Sequence, residues 1–180
     1  MESLQSIKDR IPDYAKDVRL NFDAVLNRSS LTPAQANGAA LAAAFAAKSA
    51  PLVAALRDGL DATQGQAALT AAALMGMNNV WYPYVEMAAD AELKTVRPEL
   101  RMNAYATHGG VDRTSFELYA LAASIVGKCE FCVQSHYKLL RENGFSTQQL
   151  RDVGRIAAVV NAVAQVLAIE HAEVPENIAA

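Results

Sequence analysis

Apolar residues in this chain recur every three to four positions almost from end to end, and no stretch alternates with a period of two. That spacing predicts helices rather than strands. The helices are expected over residues 15–28, 33–47, 51–60, 66–88, 98–106, 112–127, 129–142 and 146–171. Several starts are marked by capping residues. Thr32-Pro33-Ala34-Gln35 puts a cap before a proline at the first helical position, with Gln three residues on. Thr63 with Gln66, and Ser146 with Gln149, have the same form, the second following Asn143-Gly144, a natural helix stop. Asp112 stands ready to cap the segment that carries Phe116, Glu117 and Tyr119. The stretches 118–126 and 156–169 are apolar nearly all round, so they are expected to be buried on several sides, in the fold or in an oligomer interface.

Composition sharpens this picture. The 180 residues include 36 alanines, the best helix former, which points to an all-α chain. That length suits a single domain over 1–180 with a core of its own. A net charge of −3 offers no basic surface to nucleic acid or to an anionic membrane. The apolar run 39–47 ends at Lys48, well short of the ~18 residues of a membrane span. The opening Met1-Glu2-Ser3-Leu4 lacks the basic flank and apolar stretch of a signal peptide. The expectation is a cytoplasmic protein with neither nucleic-acid nor membrane partners. Thiols are held reduced in that compartment, so a close cysteine pair there is more often catalytic or metal-binding than a staple.

A faint repeat is also legible. Residues 72–78 and 123–129 share an apolar helix followed by glycine at an offset of 51, which sets Asn78 against Cys129, Trp81 against Cys132 and Gln66 against Glu117. The expectation is a duplicated helical unit, with the chemistry in the C-terminal copy, residues 112–143.

The chemistry lies in Cys129-Glu130-Phe131-Cys132-Val133-Gln134-Ser135-His136, which holds the only two cysteines. With Gly127 ending one helix, Cys129 falls in the first turn of the next. Cys129, Cys132 and His136 then share one face, at i, i+3 and i+7. Free N–H groups and the dipole at a helix start favour an anion, so a cysteine placed there has a lowered pKa. Glu117 is the only charged residue between Phe116 and Gly127. Apolar surroundings are expected to raise its pKa, so that it exchanges protons with a thiol through His136. Such a set suits peroxide reduction: a thiolate cleaves the O–O bond, becomes a sulfenic acid, and is closed to a disulfide by its neighbour. An external dithiol then resets the pair by exchange.

Other readings use the same residues. A zinc site wants four ligands, usually two cysteine pairs. The C-x-x-C-H haem signature fails at Val133, and a thioredoxin-like domain needs a βαβ context. Two inert buried cysteines in a non-redox helical scaffold or adaptor remain a reading, as does Glu117 paired structurally with an arginine such as Arg101. Trp81, Tyr82 and Tyr84 read as core or interface aromatics, and His108 and His171 as structural or solvated.

Glu117, Cys129-x-x-Cys132 and His136 at this spacing resemble the motif of the alkyl hydroperoxidase D type, within the carboxymuconolactone decarboxylase-like superfamily. The segments 11–17 (Ile-Pro-Asp-Tyr-Ala-Lys-Asp), 75–80 (Met-Gly-Met-Asn-Asn-Val), 100–103 (Leu-Arg-Met-Asn) and 116–118 (Phe-Glu-Leu) are similar to that subfamily too. The resemblance implies an all-helical fold with an internal repeat, assembled as a homotrimer. It implies a thiol-dependent peroxidase and disulfide reductase acting on alkyl hydroperoxides, with no tightly bound cofactor and no metal. Electrons would come from dihydrolipoamide on a lipoylated acyltransferase and pass to a peroxiredoxin of the alkyl hydroperoxide reductase C type. Cys132 would be the peroxidatic thiol and sulfenic acid, and Cys129 the proton donor and resolving partner in a disulfide with it. Glu117 and His136 would form the proton relay. The wider superfamily also allows a decarboxylase or isomerase with His136 or Glu117 as base. Phe131 stands where relatives often carry a histidine, so the part of a relay using that histidine is expected to be absent or replaced by water or Glu130. Direct peroxidase activity is then expected to be weaker, with exchange toward a protein partner as the main role.

Overall fold

A computed structural model describes residues 3–170. Every regular element among them is helical, as the spacing and the alanine content require. The longer helices are α2 (Lys16–Asn27), α3 (Pro33–Ala46), α4 (Ala50–Arg57), α5 (Ala62–Ala88), α7 (Arg113–Gly127), α8 (Glu130–Glu142) and α9 (Thr147–Glu170). Two are short: α1 (Leu4–Asp9) and α6 (Asn103–Ala106). Single 3₁₀ turns lie at Asp13–Ala15, Leu93–Thr95 and His108–Gly110.

The capping chemistry accounts for most boundaries. Thr32 and Gln35 form a reciprocal capping box at α3, and Ser146 with Gln149 does the same at α9. Asp112 accepts from Ser115 N at 2.9 Å and starts α7. The start of α5 differs from expectation: Asp61, not Thr63, accepts the N–H of Gln64, so the helix begins four residues early. An ionised carboxylate is the stronger acceptor there. The expected 98–106 helix shrinks to α6, because Pro98 and the exposed polar run before it give no buried stripe to hold a longer one. The early α1 went unexpected, and it is secured by Ser3 at its cap and one fully buried side chain, Ile7.

Helices α3 and α7 form the centre, with α5 and α9 packed against both, α2 on α9, and α8 against α7. The buried residues make one contiguous cluster dominated by alanine. Small side chains let helix axes approach closely. Gly38 on α3 takes this furthest, since a Cβ there would run into the Tyr119 ring on α7. Helix α9 is long and apolar enough to cross a membrane by length and mean hydropathy, although Asn161 and Gln165 interrupt its apolar run. Here its apolar side lies against α2, α3 and α7.

One polar clasp holds α9 to the loop before α3. Asp152, buried, accepts from Ser30 N at 2.9 Å and Ser30 Oγ at 2.7 Å, with Arg151 and Arg155 each at 3.1 Å. Burial pushes its pKa up, but these hydrogen bonds outweigh that and hold it well below the usual carboxylate range. The unfolded chain therefore takes up its proton first, and this share of stability is lost as pH falls below about 4. Asp152→Ala is expected to cost about 2 kcal/mol at neutral pH, lowering the melting temperature by about 6 °C. It should also flatten the fall in melting temperature from pH 5 to pH 3; an unchanged slope in a scanning melt would remove Asp152 from the acid response.

The 51-residue offset has a structural counterpart. Asp61 and Asp112, which cap α5 and α7, stand at that offset, and Cys129 Sγ lies 3.9 Å from the carbonyl oxygen of Asn78, its equivalent. The two copies differ at the glycine. Helix α5 runs unbroken through Gly76, whereas the second copy breaks after Gly127 into α7 and α8.

Candidate active site

The break creates the site. Lys128 adopts a left-handed conformation (φ 56°) and returns its N–H to Ile125 and Ser124, so that only Lys128 and Cys129 connect the two helices. Gly127 allows this end of α7 to lie on α5, where a Cβ would overlap the Asn79 side chain. The next residue, Cys129, is the N-cap of α8 rather than part of its first turn, and its sulfur accepts the Cys132 N–H at 3.3 Å. The two cysteines form a disulfide, with Cα atoms 5.3 Å apart. Cys129 is fully buried (0% exposed), and Cys132 (3%) borders a cavity.

Glu117, fully buried on α7, faces this helix. Its Oε2 is 2.6 Å from His136 Nδ1, and its Oε1 accepts a very short hydrogen bond from the Tyr105 hydroxyl. Arg113 Nε stands 3.9 Å from Oε1, so Arg113 and not Arg101 is the neighbouring guanidinium. Burial pushes the Glu117 pKa up, but the hydrogen bonds from His136 and Tyr105 outweigh it, and His136 and Arg113 add favourable charge. The carboxyl is held below its ordinary value, opposite to the expectation from its apolar neighbours alone, because its hydrogen-bonding partners come from other segments. Tyr105 is pushed up, by burial first and then by Glu117. On the other side of the imidazole, His136 Nε2 lies 3.2 Å from the Met75 sulfur.

The site opens on a cavity of about 470 Å³. Cys132, His136 and Tyr105 border it, and Phe131 and Tyr82 form a stacked aromatic wall, with ring centroids 4.3 Å apart and planes at 26°. Tyr82 is thus a cavity residue, not only a core or interface aromatic. Glu130 does not take the place of a histidine at 131: its carboxylate is exposed and accepts from Gln134 on the outer side of α8. His108 packs against the rings of Tyr105 and Phe116, and His171 lies outside the described residues. Among the described residues no three His, Cys, Asp or Glu side chains are grouped to hold a metal ion.

The structure thus brings together all four residues singled out from the sequence and adds Tyr105, Met75 and Asn78. Tyr105 is delivered by a fold feature that periodicity does not reveal. Gly109, at φ 60°, lets the turn after α6 press onto α5, where a Cβ would meet Ala67 Cα at 2.7 Å. Tyr105 then lies edge-on to Phe116, one residue from Glu117. Met75 and Asn78 were visible in the sequence only through the repeat and the segment 75–80.

A Rhodospirillum centenum protein named alkyl hydroperoxide reductase AhpD is 45% identical over 174 residues, covering 94% of this chain and 93% of its own length. The chain belongs to the AhpD family. AhpD proteins of a Bradyrhizobium species and of Coxiella burnetii are each 41% identical, over 182 and 175 residues. They cover 99% and 93% of this chain, and 99% and 98% of their own lengths. The sequence profile of the carboxymuconolactone decarboxylase family matches residues 91–172, the part of this AhpD-family chain that holds Tyr105, Glu117, both cysteines and His136. The all-helical architecture implied by the resemblance is the one observed.

Proposed function

We propose that this AhpD-family oxidoreductase is a thiol-dependent alkyl hydroperoxide reductase in which Cys132 meets the peroxide. The observation that carries the proposal is the asymmetry of the pair: Cys132 borders the cavity beside His136 and Tyr105, and Cys129 is sealed behind it. In the reduced enzyme the Glu117–His136 pair accepts the Cys132 proton. The thiolate attacks the terminal oxygen of R–O–O–H and the O–O bond breaks. Cys132 becomes a sulfenic acid, and the alkoxide leaves with a proton returned by His136 as the alcohol. Cys129 then attacks the sulfenic sulfur, its thiol proton goes to the departing hydroxide, and water and the disulfide result. Two electrons have moved from the dithiol to the peroxide.

A dithiol of the dihydrolipoamide type, carried on a lipoylated acyltransferase, restores the couple by exchange at Cys132. Cys129 is the leaving sulfur, and its cap N–H stabilises the departing thiolate. A peroxiredoxin of the alkyl hydroperoxide reductase C type is the protein oxidant. The chain acts in the cytoplasm as a homotrimer without a bound cofactor. The family resemblance supports these assignments, and the exposed residues Met77, Val80, Tyr84 and Met87 on α5 supply an apolar face for self-assembly. With Phe131 carrying no proton, the relay here runs through Tyr105, Glu117 and His136.

The test is reduction with dihydrolipoamide, removal of excess donor, and addition of an organic hydroperoxide. Both thiols should be lost as an equal amount of alcohol forms. Thiols that persist in excess peroxide and in oxidised peroxiredoxin would remove the proposal.

A further inference from the structure

Half of the cavity has no part in moving protons or electrons. Phe131 is 50% exposed although it lies between the two cysteines, and its ring is stacked on Tyr82 from α5. Met102 and Ala106 continue this apolar wall. Among the described residues no lysine, arginine, aspartate or glutamate borders the cavity, whose other lining residues include Asn78, Tyr105, Cys132, Ser135 and His136. A rigid aromatic slab beside the reacting sulfur costs little to desolvate and presents a π-face to an incoming ring.

We propose that the Phe131–Tyr82 pair is a specificity wall that selects neutral hydroperoxides bearing an aryl group, over hydrogen peroxide and over hydroperoxides carrying a carboxylate. The inference rests on the peroxidase reading of Cys132 and adds the substrate class to it. The aryl group extends the Tyr82–Phe131 stack and leaves the O–O bond directed at Cys132. The step is the one given above: the thiolate takes the terminal oxygen, the aryl-bearing alkoxide leaves as its alcohol, and the dihydrolipoamide-type dithiol supplies the electrons. Hydrogen peroxide gains nothing from the wall. A carboxylate-bearing hydroperoxide would desolvate its charge in a cavity with no lysine or arginine to pair it.

The test compares kcat/KM for cumene hydroperoxide, hydrogen peroxide and linoleic acid hydroperoxide in the parent and in Phe131→Ala and Tyr82→Leu. The parent should prefer cumene hydroperoxide over each of the others by about tenfold or more. The ratio of cumene hydroperoxide to hydrogen peroxide should fall about tenfold in Phe131→Ala and several-fold in Tyr82→Leu. Ratios are read because a general loss of folding lowers both terms together. Unchanged ratios in both variants, or a parent that prefers linoleic acid hydroperoxide, would overturn the wall. A second measurement separates this from failure of the peroxidase reading. The alcohol product, 2-phenyl-2-propanol, is titrated into the oxidised protein and followed by aromatic NMR. Saturable shifts at Phe131 and Tyr82 without turnover of any peroxide would keep the aryl site and remove the peroxidase. Turnover with no shifts at millimolar alcohol would do the reverse.

Discussion

Cys132→Ser is expected to lose peroxide turnover by about a thousandfold or more, because a serine hydroxyl at neutral pH carries no usable nucleophile for an O–O bond. Cys129→Ser should behave differently. Its Cys132 still reacts once, and with no partner to close the disulfide it stays as a sulfenic acid. A sulfenic-specific reagent should then label Cys129→Ser after peroxide and leave Cys132→Ser unlabelled, as read by intact-protein mass spectrometry. The two variants separate exposure from thiolate stabilisation. Cys132 has the cavity, whereas Cys129 has the N–H of the helix start. Labelling of Cys132→Ser alone would assign the attack to Cys129 and show that the cap N–H outweighs access. Both serine variants should keep the parent's helical circular dichroism, because the chain around them is held by α7 and α5 rather than by the disulfide alone.

Glu117→Gln is expected to lower kcat/KM by about 10²–10⁴-fold. The amide keeps the shape of the side chain and still accepts from Tyr105. It can no longer carry a proton, and it turns a donor toward His136 Nδ1, forcing the imidazole proton onto the nitrogen beside Met75. A melt by circular dichroism establishes that the loss is measured on folded protein. Tyr105→Phe supplies the graded companion. Its hydroxyl helps hold the Glu117 carboxyl below its ordinary value, so removing it lets burial raise that carboxyl. The acid limb of the pH–rate profile, which belongs to the coupled Glu117–His136 pair, should move to higher pH. A Glu117→Gln enzyme with the parent's rate would assign the carboxylate a structural role. A Tyr105→Phe profile that drops in height without moving would limit Tyr105 to packing.

The parts of this molecule written locally were legible in the sequence. Thr32, Asp112 and Ser146 cap helices with side chains two or three residues from their partners, and Cys129, Cys132 and His136 share a face by spacing alone. What escaped depends on contacts across the fold. Tyr105 reaches Glu117 only because Gly109 sets the turn after α6 against α5. The lowered pKa of Glu117 comes from hydrogen bonds from His136 and Tyr105, which lie on two other stretches of chain, so a list of its apolar neighbours gives the wrong sign. Asp61 in place of Thr63 shows competition between two adjacent caps, which spacing cannot decide.

The break at Lys128 bears on how a redox centre can be transplanted. Helix α5 presents the equivalent positions, Asn78 and Trp81, on the same scaffold, yet every N–H there already serves its own helix. Placing cysteines at those two positions would install the atoms of the couple without the electropositive terminus that makes a sulfur a good leaving group. A working graft would have to interrupt α5 first. Helix α5 thus lacks both the cysteines and the break that would expose free N–H groups to them.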